Sequence, residues 1–142
     1  MTTTTKIEHL INEYMAAWSG SGDIAKLTTL VTDDVFYEEL GSHVVKSGKA
    51  ELVEYAGIVF AAFQVSWTYQ SIIIAEQLDK AALETIVTGI HSGDYLGMPA
   101  THKSFSLRVA LFLDFKDGKV SRHLEFSNLI DLLQQLGLVP GS

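Results

Sequence analysis

The chain has no cysteine among its 142 residues. Disulfides, thiolate nucleophiles and sulfur-ligated zinc are thereby excluded, so covalent chemistry must use oxygen or nitrogen. Basic residues are also scarce: ten Lys and Arg against 17 Asp and Glu leave a formal charge of −7, with no run of Lys or Arg. A nucleic acid or an anionic membrane surface needs a basic footprint, so neither is an expected partner, whereas a small neutral or apolar ligand is. No apolar stretch approaches a membrane span, and the start Met1-Thr-Thr-Thr-Thr-Lys6 lacks the charged and apolar regions of a signal peptide. A cytoplasmic protein is the expectation. Low-complexity sequence is confined to the threonine start, no internal repeat is present, and Gly141-Ser142 carries no pattern signal.

Hydrophobic residues, by contrast, make up 47% of the chain. That is enough for one well-buried core and too little chain for two domains, so residues 1–142 are expected to form a single domain. Ile7, Leu10, Ile11, Tyr14, Met15 and Trp18 recur at three- and four-residue steps and predict an amphipathic helix that Gly20-Ser21-Gly22 ends. Asp23 can cap a second helix through Val31, after which Val35 to Leu40 reads as a strand and Val44-Val45 as a short extended piece. Ser47 can cap a third helix carrying Leu52, Val53, Ala56, Val59, Phe60 and Phe63.

Beyond Gln64 the texture changes. Val65 to Leu78, Ala81 to His91, Phe105 to Phe115 and Val120 to Phe126 are rich in β-branched and aromatic residues and predict four long strands. Asp117-Gly118 marks a tight hairpin, so these strands should form an antiparallel meander. Helices first and sheet second predict an α+β fold, with three N-terminal helices on one face of a curved antiparallel sheet. Ile72-Ile73-Ile74 is apolar on both strand faces, which predicts a homodimer made through the sheet.

In an extended strand alternate side chains share a face, so Ser121, His123 and Glu125 point one way and Arg122, Leu124 and Phe126 the other. A carboxylate buried beside Leu124 and Phe126 gains affinity for a proton and suits general-base work; the competing expectation is an ion pair with Arg108 or Arg122. Glu38 could add a second carboxylate, which would split the two proton affinities, although Glu38-Glu39 also suits a solvated strand end. His91 and His123 could orient the base or donate a proton, or serve as hydrogen-bonded strand histidines; His43 and His102 fall in loops. No metal site is expected, since the histidines are dispersed. Tyr14, Trp18, Tyr37, Phe60, Phe63, Trp67 and Tyr95 supply aromatic faces that packing largely explains, yet Trp18, Phe60 and Phe63 end helices where an apolar ligand could enter. Tyr14, Tyr37 or Tyr95 could donate to an oxygen anion. Asn128 is a candidate substrate-binding residue, with a helix cap as the competing reading.

The element order, with Gly89-Ile-His-Ser-Gly-Asp-Tyr-Leu-Gly-Met-Pro-Ala-Thr101, Phe105, Asp117-Gly118-Lys119 and Leu132-Leu-Gln-Gln-Leu-Gly137, resembles the SnoaL-like polyketide cyclases of the nuclear-transport-factor-2-like, ketosteroid-isomerase-like superfamily. The resemblance implies a cone-shaped α+β barrel around a deep apolar pocket. It also implies cofactor-free ring closure by a carboxylate on the last strand, a position held here by Glu125. This chain departs from the family in having Glu for the usual Asp. Val109 and Leu111 stand where the anthracycline cyclases are polar, and Glu38 where an uncharged amide is expected. The implied activity is a cyclase or isomerase working on a small, largely apolar carbonyl or epoxide-bearing intermediate. Opening of an epoxide, in the manner of limonene-epoxide hydrolase, and ligand binding without catalysis are the alternatives.

Overall fold

Helix α1 (Thr3–Ala17) turns Ile7, Leu10, Ile11, Tyr14 and Met15 inward, as their spacing requires. The structure, a computed structural model, describes residues 3–139, so the Gly141-Ser142 end lies outside the described residues. Helix α2 (Ile24–Leu30) is capped by Asp23, whose carboxylate accepts from the Lys26 N–H at 3.0 Å. It stops one residue short of the predicted end, because Val31 is already extended and opens strand β1 (Val31–Glu39), four residues earlier than expected. Strand β2 (Val44–Ser47) leads to helix α3 (Lys49–Ala62). Ser47 does not cap that helix. Gly48 holds the cap position without a side-chain bond, and the Ser47 N–H instead donates to the Glu51 carboxylate at 2.9 Å.

Strand β3 (Phe63–Ala75) claims Phe63, which the helical stripe had included, and a 3-10 turn (Glu76–Leu78) replaces the predicted end of that strand. Strands β4 (Lys80–His91), β5 (Ser104–Lys116) and β6 (Lys119–Phe126) follow, then helix α4 (Leu129–Gln135). Asn128 caps α4, its side chain accepting from the Asp131 N–H at 3.0 Å. The hairpin between β5 and β6 turns on Asp117 and Gly118, both at positive φ (53° and 72°), the mirror-image turn that matches strand twist.

The six strands form one open sheet in the order β2-β1-β6-β5-β4-β3. Strands β3 to β6 are the expected antiparallel meander, but β1 runs parallel to β6. Parallel neighbours need a long crossover, which the segment from β2 through β5 supplies. Inward residues of β5 (Phe105, Leu107, Val109, Leu111, Leu113, Phe115) are buried while Ser104, Ser106, Arg108 and Phe112 face out. That alternation makes β5 the floor of the core. On the outer face Ile73 is 67% exposed, and Phe112 packs edge-on against Phe126 at 5.7 Å.

After β4 the chain folds back on the end of α3, where the N–H groups of Ser92 and Gly93 both donate to the Ala62 carbonyl at 2.9 and 3.0 Å. A Cβ on Gly93 would overlap the Ala61 carbonyl oxygen, so the approach depends on glycine. This contact seats Tyr95 at the edge of the interior.

Candidate active site

Between α1, α3, α4 and the inner sheet face lies a half-enclosed cavity of ≈ 130 Å³. Trp18, Phe63, Trp67, Val87, Phe105 and Leu107 form its apolar wall, and Glu39 and Glu125 supply its two carboxyl groups. No Lys or Arg lines it among the described residues. Nor is any group of three His, Asp or Glu side chains among those residues placed to hold a metal ion.

The two acids meet because β1 and β6 pair in register, Tyr37 beside His123 and Glu39 beside Glu125. His123 is the hinge of the arrangement. Its Nδ1 lies 2.7 Å from the Tyr14 hydroxyl, its Nε2 lies 3.0 Å from Glu125 Oε1, and its ring packs on Tyr37 at 4.5 Å between centroids. Burial lowers the His123 proton affinity to about 4, so the ring is neutral at pH 7 and carries one proton. With Glu125 ionised, that proton sits on Nε2 and is donated to Glu125, and Tyr14 donates to Nδ1. Glu125 itself is only 12% exposed, and burial pushes its carboxyl up to about 7. Neither arginine reaches it: Arg108 pairs with Glu84 at 3.2 Å, Arg122 lies on the outer face with Leu124 and Phe126, and the hydrogen-bond partner of Glu125 is the neutral ring of His123.

Glu39 accepts from three hydroxyls, those of Ser42 (2.6 Å), Tyr55 (2.9 Å) and Tyr37. Burial, and after it the neighbouring charge of Glu125, raise its proton affinity, while the three donors act in the opposite sense. The Tyr55 hydroxyl lies 3.1 Å from that of Tyr95. Burial raises the proton affinities of Tyr14, Tyr37, Tyr55 and Tyr95, so all four are phenols at neutral pH.

Of the residues named from the sequence, the structure brings Glu125, His123, Trp18, Tyr37, Phe63, Trp67, Tyr95, Val109 and Asn128 to the cavity wall. Glu38 is a correction. Side chains alternate along β1, so Val35, Tyr37 and Glu39 face in and Glu38 takes the other face, away from the cavity. His91 is a second correction: it is fully buried off the wall, its ring stacked on Phe63 at 5.1 Å and its Nδ1 accepting from the Thr101 N–H at 3.2 Å. It thereby fastens the loop 92–103 rather than facing the cavity. Tyr14, Phe60 and Leu111 stand behind the wall, Tyr14 supporting His123, Phe60 set edge-on to Trp18 at 5.5 Å, and Leu111 sealed in the core. Sequence reasoning missed Glu39, Ser42 and Tyr55. Once pairing with β6 fixes the phase of β1, its inward alternation extends by one step to Glu39, and the α3 spacing Leu52, Tyr55, Ala56, Val59 finds Tyr55.

A bent sheet with helices packed over an apolar cavity, and a buried carboxyl group on β6, define a small cone-shaped protein of the nuclear-transport-factor-2-like class. Similarity to known proteins narrows the class. The chain belongs to the SnoaL-like polyketide cyclase family, whose model matches residues 8–136. It is 26% identical over 95 residues to the nogalonic acid methyl ester cyclase of Streptomyces nogalater, covering 67% of this chain and 71% of that one. It is 26% identical over 115 residues to the aklanonic acid methyl ester cyclase AcmA of Streptomyces galilaeus, covering 75% and 79%. The crystal structure of AclR from Streptomyces galilaeus superposes with a TM-score of 0.80 at 27% identity, covering 99% of this chain and 86% of AclR. A protein of Xanthomonas campestris pv. campestris gives a TM-score of 0.84 at 18% identity over 95% and 99% of the two chains, which shows the fold alone. With these relatives the chain is an enzyme of the cyclase/isomerase kind.

Proposed function

We propose that this chain closes or isomerises a ring in a small, largely apolar carbonyl-bearing intermediate, without a cofactor and in the cytoplasm, with Glu125 as general base. The observation that carries the proposal is the state of Glu125: buried, without a cationic partner, and held near neutral pH in its proton affinity. A carboxylate poorly solvated by its cavity loses less on taking a proton from carbon than one in water. His123 occupies Oε1, Tyr14 braces His123 from behind, and Oε2 is left to the substrate. The apolar walls favour a ring system. A cavity of ≈ 130 Å³ is close to the roughly 150 Å³ that accommodates benzene, so a single ring sits inside and anything larger extends past the mouth. The relatives' names point to polyketide methyl esters. An ester suits this cavity better than the free acid, whose charge would meet two carboxyl groups and no cation. Ring closure by epoxide opening is the second reading, favoured by Glu39 as a second carboxyl on the neighbouring strand.

The test is elimination of 5-nitrobenzisoxazole, a ring-sized probe that reports removal of one proton from carbon. Wild type should turn it over with a rate that rises through about pH 7, and Glu125→Gln should lose at least about 100-fold. Equal rates in the two proteins overturn the role of Glu125.

A further inference from the structure

The cavity contains a second chain of exchangeable protons that the role of Glu125 leaves unused. Glu39 shares a rung of the sheet with Glu125, its Oε2 accepts from Tyr55 at 2.9 Å, and Tyr55 meets Tyr95 at 3.1 Å, all four side chains lining the cavity. The groups facing Glu39 come from every side: Tyr37 on its own strand, Ser42 in the following turn, Tyr55 on α3, and Glu125 on β6. His123 on β6 is neutral, and Lys46 on β2 stands 5.5 Å from the centre of the Tyr55 ring. With no cation in the wall, an ionised Glu125 on the same rung favours the protonated form of Glu39.

We propose that Glu39, Tyr55 and Tyr95 form a proton-delivery chain that protonates the oxygen anion created while Glu125 takes a proton from carbon. This rests on the reading of Glu125 as base. Each phenol has one proton, so the direction of the chain follows from whether Glu39 holds a proton. If Glu39 is ionised, Tyr55 donates to it, Tyr95 donates to Tyr55, and Tyr95 offers the cavity only a lone pair. If Glu39 holds the proton, Glu39 donates to Tyr55, Tyr55 donates to Tyr95, and the Tyr95 O–H is free to face the substrate. The second state is the one that an ionised Glu125 favours. Base and donor are therefore armed together.

In ring closure the C–H proton passes to Glu125 and its electron pair forms the new C–C bond. The carbonyl π pair becomes a lone pair on oxygen, which takes the Tyr95 proton as Tyr95 takes that of Tyr55 and Tyr55 that of Glu39. The step ends with Glu125 protonated and Glu39 ionised, and return of one proton across the rung resets the site with no net gain or loss. Tyr95 is the catalytic residue of this arm; Tyr55 and Glu39 act through it.

The experiment uses 4-nitrophenol, a ring-sized phenol whose anion is coloured, in Glu125→Gln protein, where the anion meets no charged base. The probe should bind as its anion with uptake of a proton by Glu39. Added Tyr95→Phe should weaken it at least tenfold by removing the donor. Added Glu39→Gln, which has no proton to gain, should abolish the proton uptake that accompanies binding. Binding of nitrobenzene, which needs no donor, monitors the cavity in each variant; where it is lost, Tyr55→Phe, which breaks the chain in the middle, replaces that variant. Unchanged nitrophenolate binding in Tyr95→Phe, or proton uptake on binding that persists in Glu39→Gln, overturns the relay. Either outcome leaves the base assignment standing, since that fails only if 5-nitrobenzisoxazole elimination does not distinguish wild type from Glu125→Gln.

Discussion

Glu125→Gln should make the protein more stable, and increasingly so as the pH rises. In the folded chain burial holds the Glu125 carboxyl at about 7 instead of its ordinary 4.5. The unfolded chain therefore gives up this proton first. Stability attached to the protonated group is fully present below pH 4.5 and is lost as pH rises through about 7, because the folded state must then hold an ion in a cavity that does not solvate it. Taken to the end, such a difference is about 3 kcal/mol, and between about pH 5 and about pH 8.5 the loss is about 2.5 kcal/mol. Glutamine keeps the shape and still accepts from His123 Nε2, but has no proton to lose. Glu39 adds to the gain, since the Glu125 charge is one of the two influences raising its proton affinity. His123 acts oppositely: neutral and buried, it contributes stability above pH 6.5 that is lost as pH falls toward about 4. It is present in both proteins, so its contribution drops out of the comparison. The assay is urea unfolding of wild type and Glu125→Gln across that pH range, read as the difference in unfolding free energy. A difference that stays flat with pH, or that grows toward acid, refutes burial as the source of the Glu125 proton affinity.

Three further outcomes are expected. Tyr14→Phe removes the hydrogen bond to His123 Nδ1 in a fully buried setting and should lower stability by about 1–3 kcal/mol in urea unfolding at neutral pH. Gly93→Ala forces the loop 92–103 off the Ala61 carbonyl and should cost about 1–3 kcal/mol, measured as a lowered Tm. If the outer sheet face with Ile73, Phe112 and Phe126 is covered by a second copy, sedimentation should find wild type as a dimer and Phe112→Asp as a monomer; a wild-type monomer refutes that assembly.

Much of the fold was legible because its periodicities are clean. The five-position stripe of α1 and the strict alternation of β5 each bury the residues that their spacing selects. The inward placement of His123 and Glu125 follows from the same two-residue repeat. Glu38 and Glu39 were not told apart because two adjacent acids look alike until the strand's phase is known. The register between β1 and β6 shifts between Val31 and Phe36, and that phase is set by tertiary pairing rather than by local pattern. His91 sits in a short motif that reads as chemistry, yet the fold-back that brings Thr101 of that motif to its ring and the stacked Phe63 of β3 are tertiary contacts that spacing alone does not show. The parallel pairing of β1 with β6 likewise depends on everything folded between them.

That pairing has a consequence for how the molecule comes into being. One member of the acid pair is made well before the other, because β2, α3, β3, β4 and β5 all lie between β1 and β6 in the chain. Contacts so distant in sequence carry a larger loop-closure cost than the hairpins of β3 to β5, so they should form after them. Until then the floor of the core lacks its neighbour and Glu39 has no companion. Acquisition of probe binding during refolding is therefore a clock for completion of the sheet, distinct from the earlier signal of the hairpins.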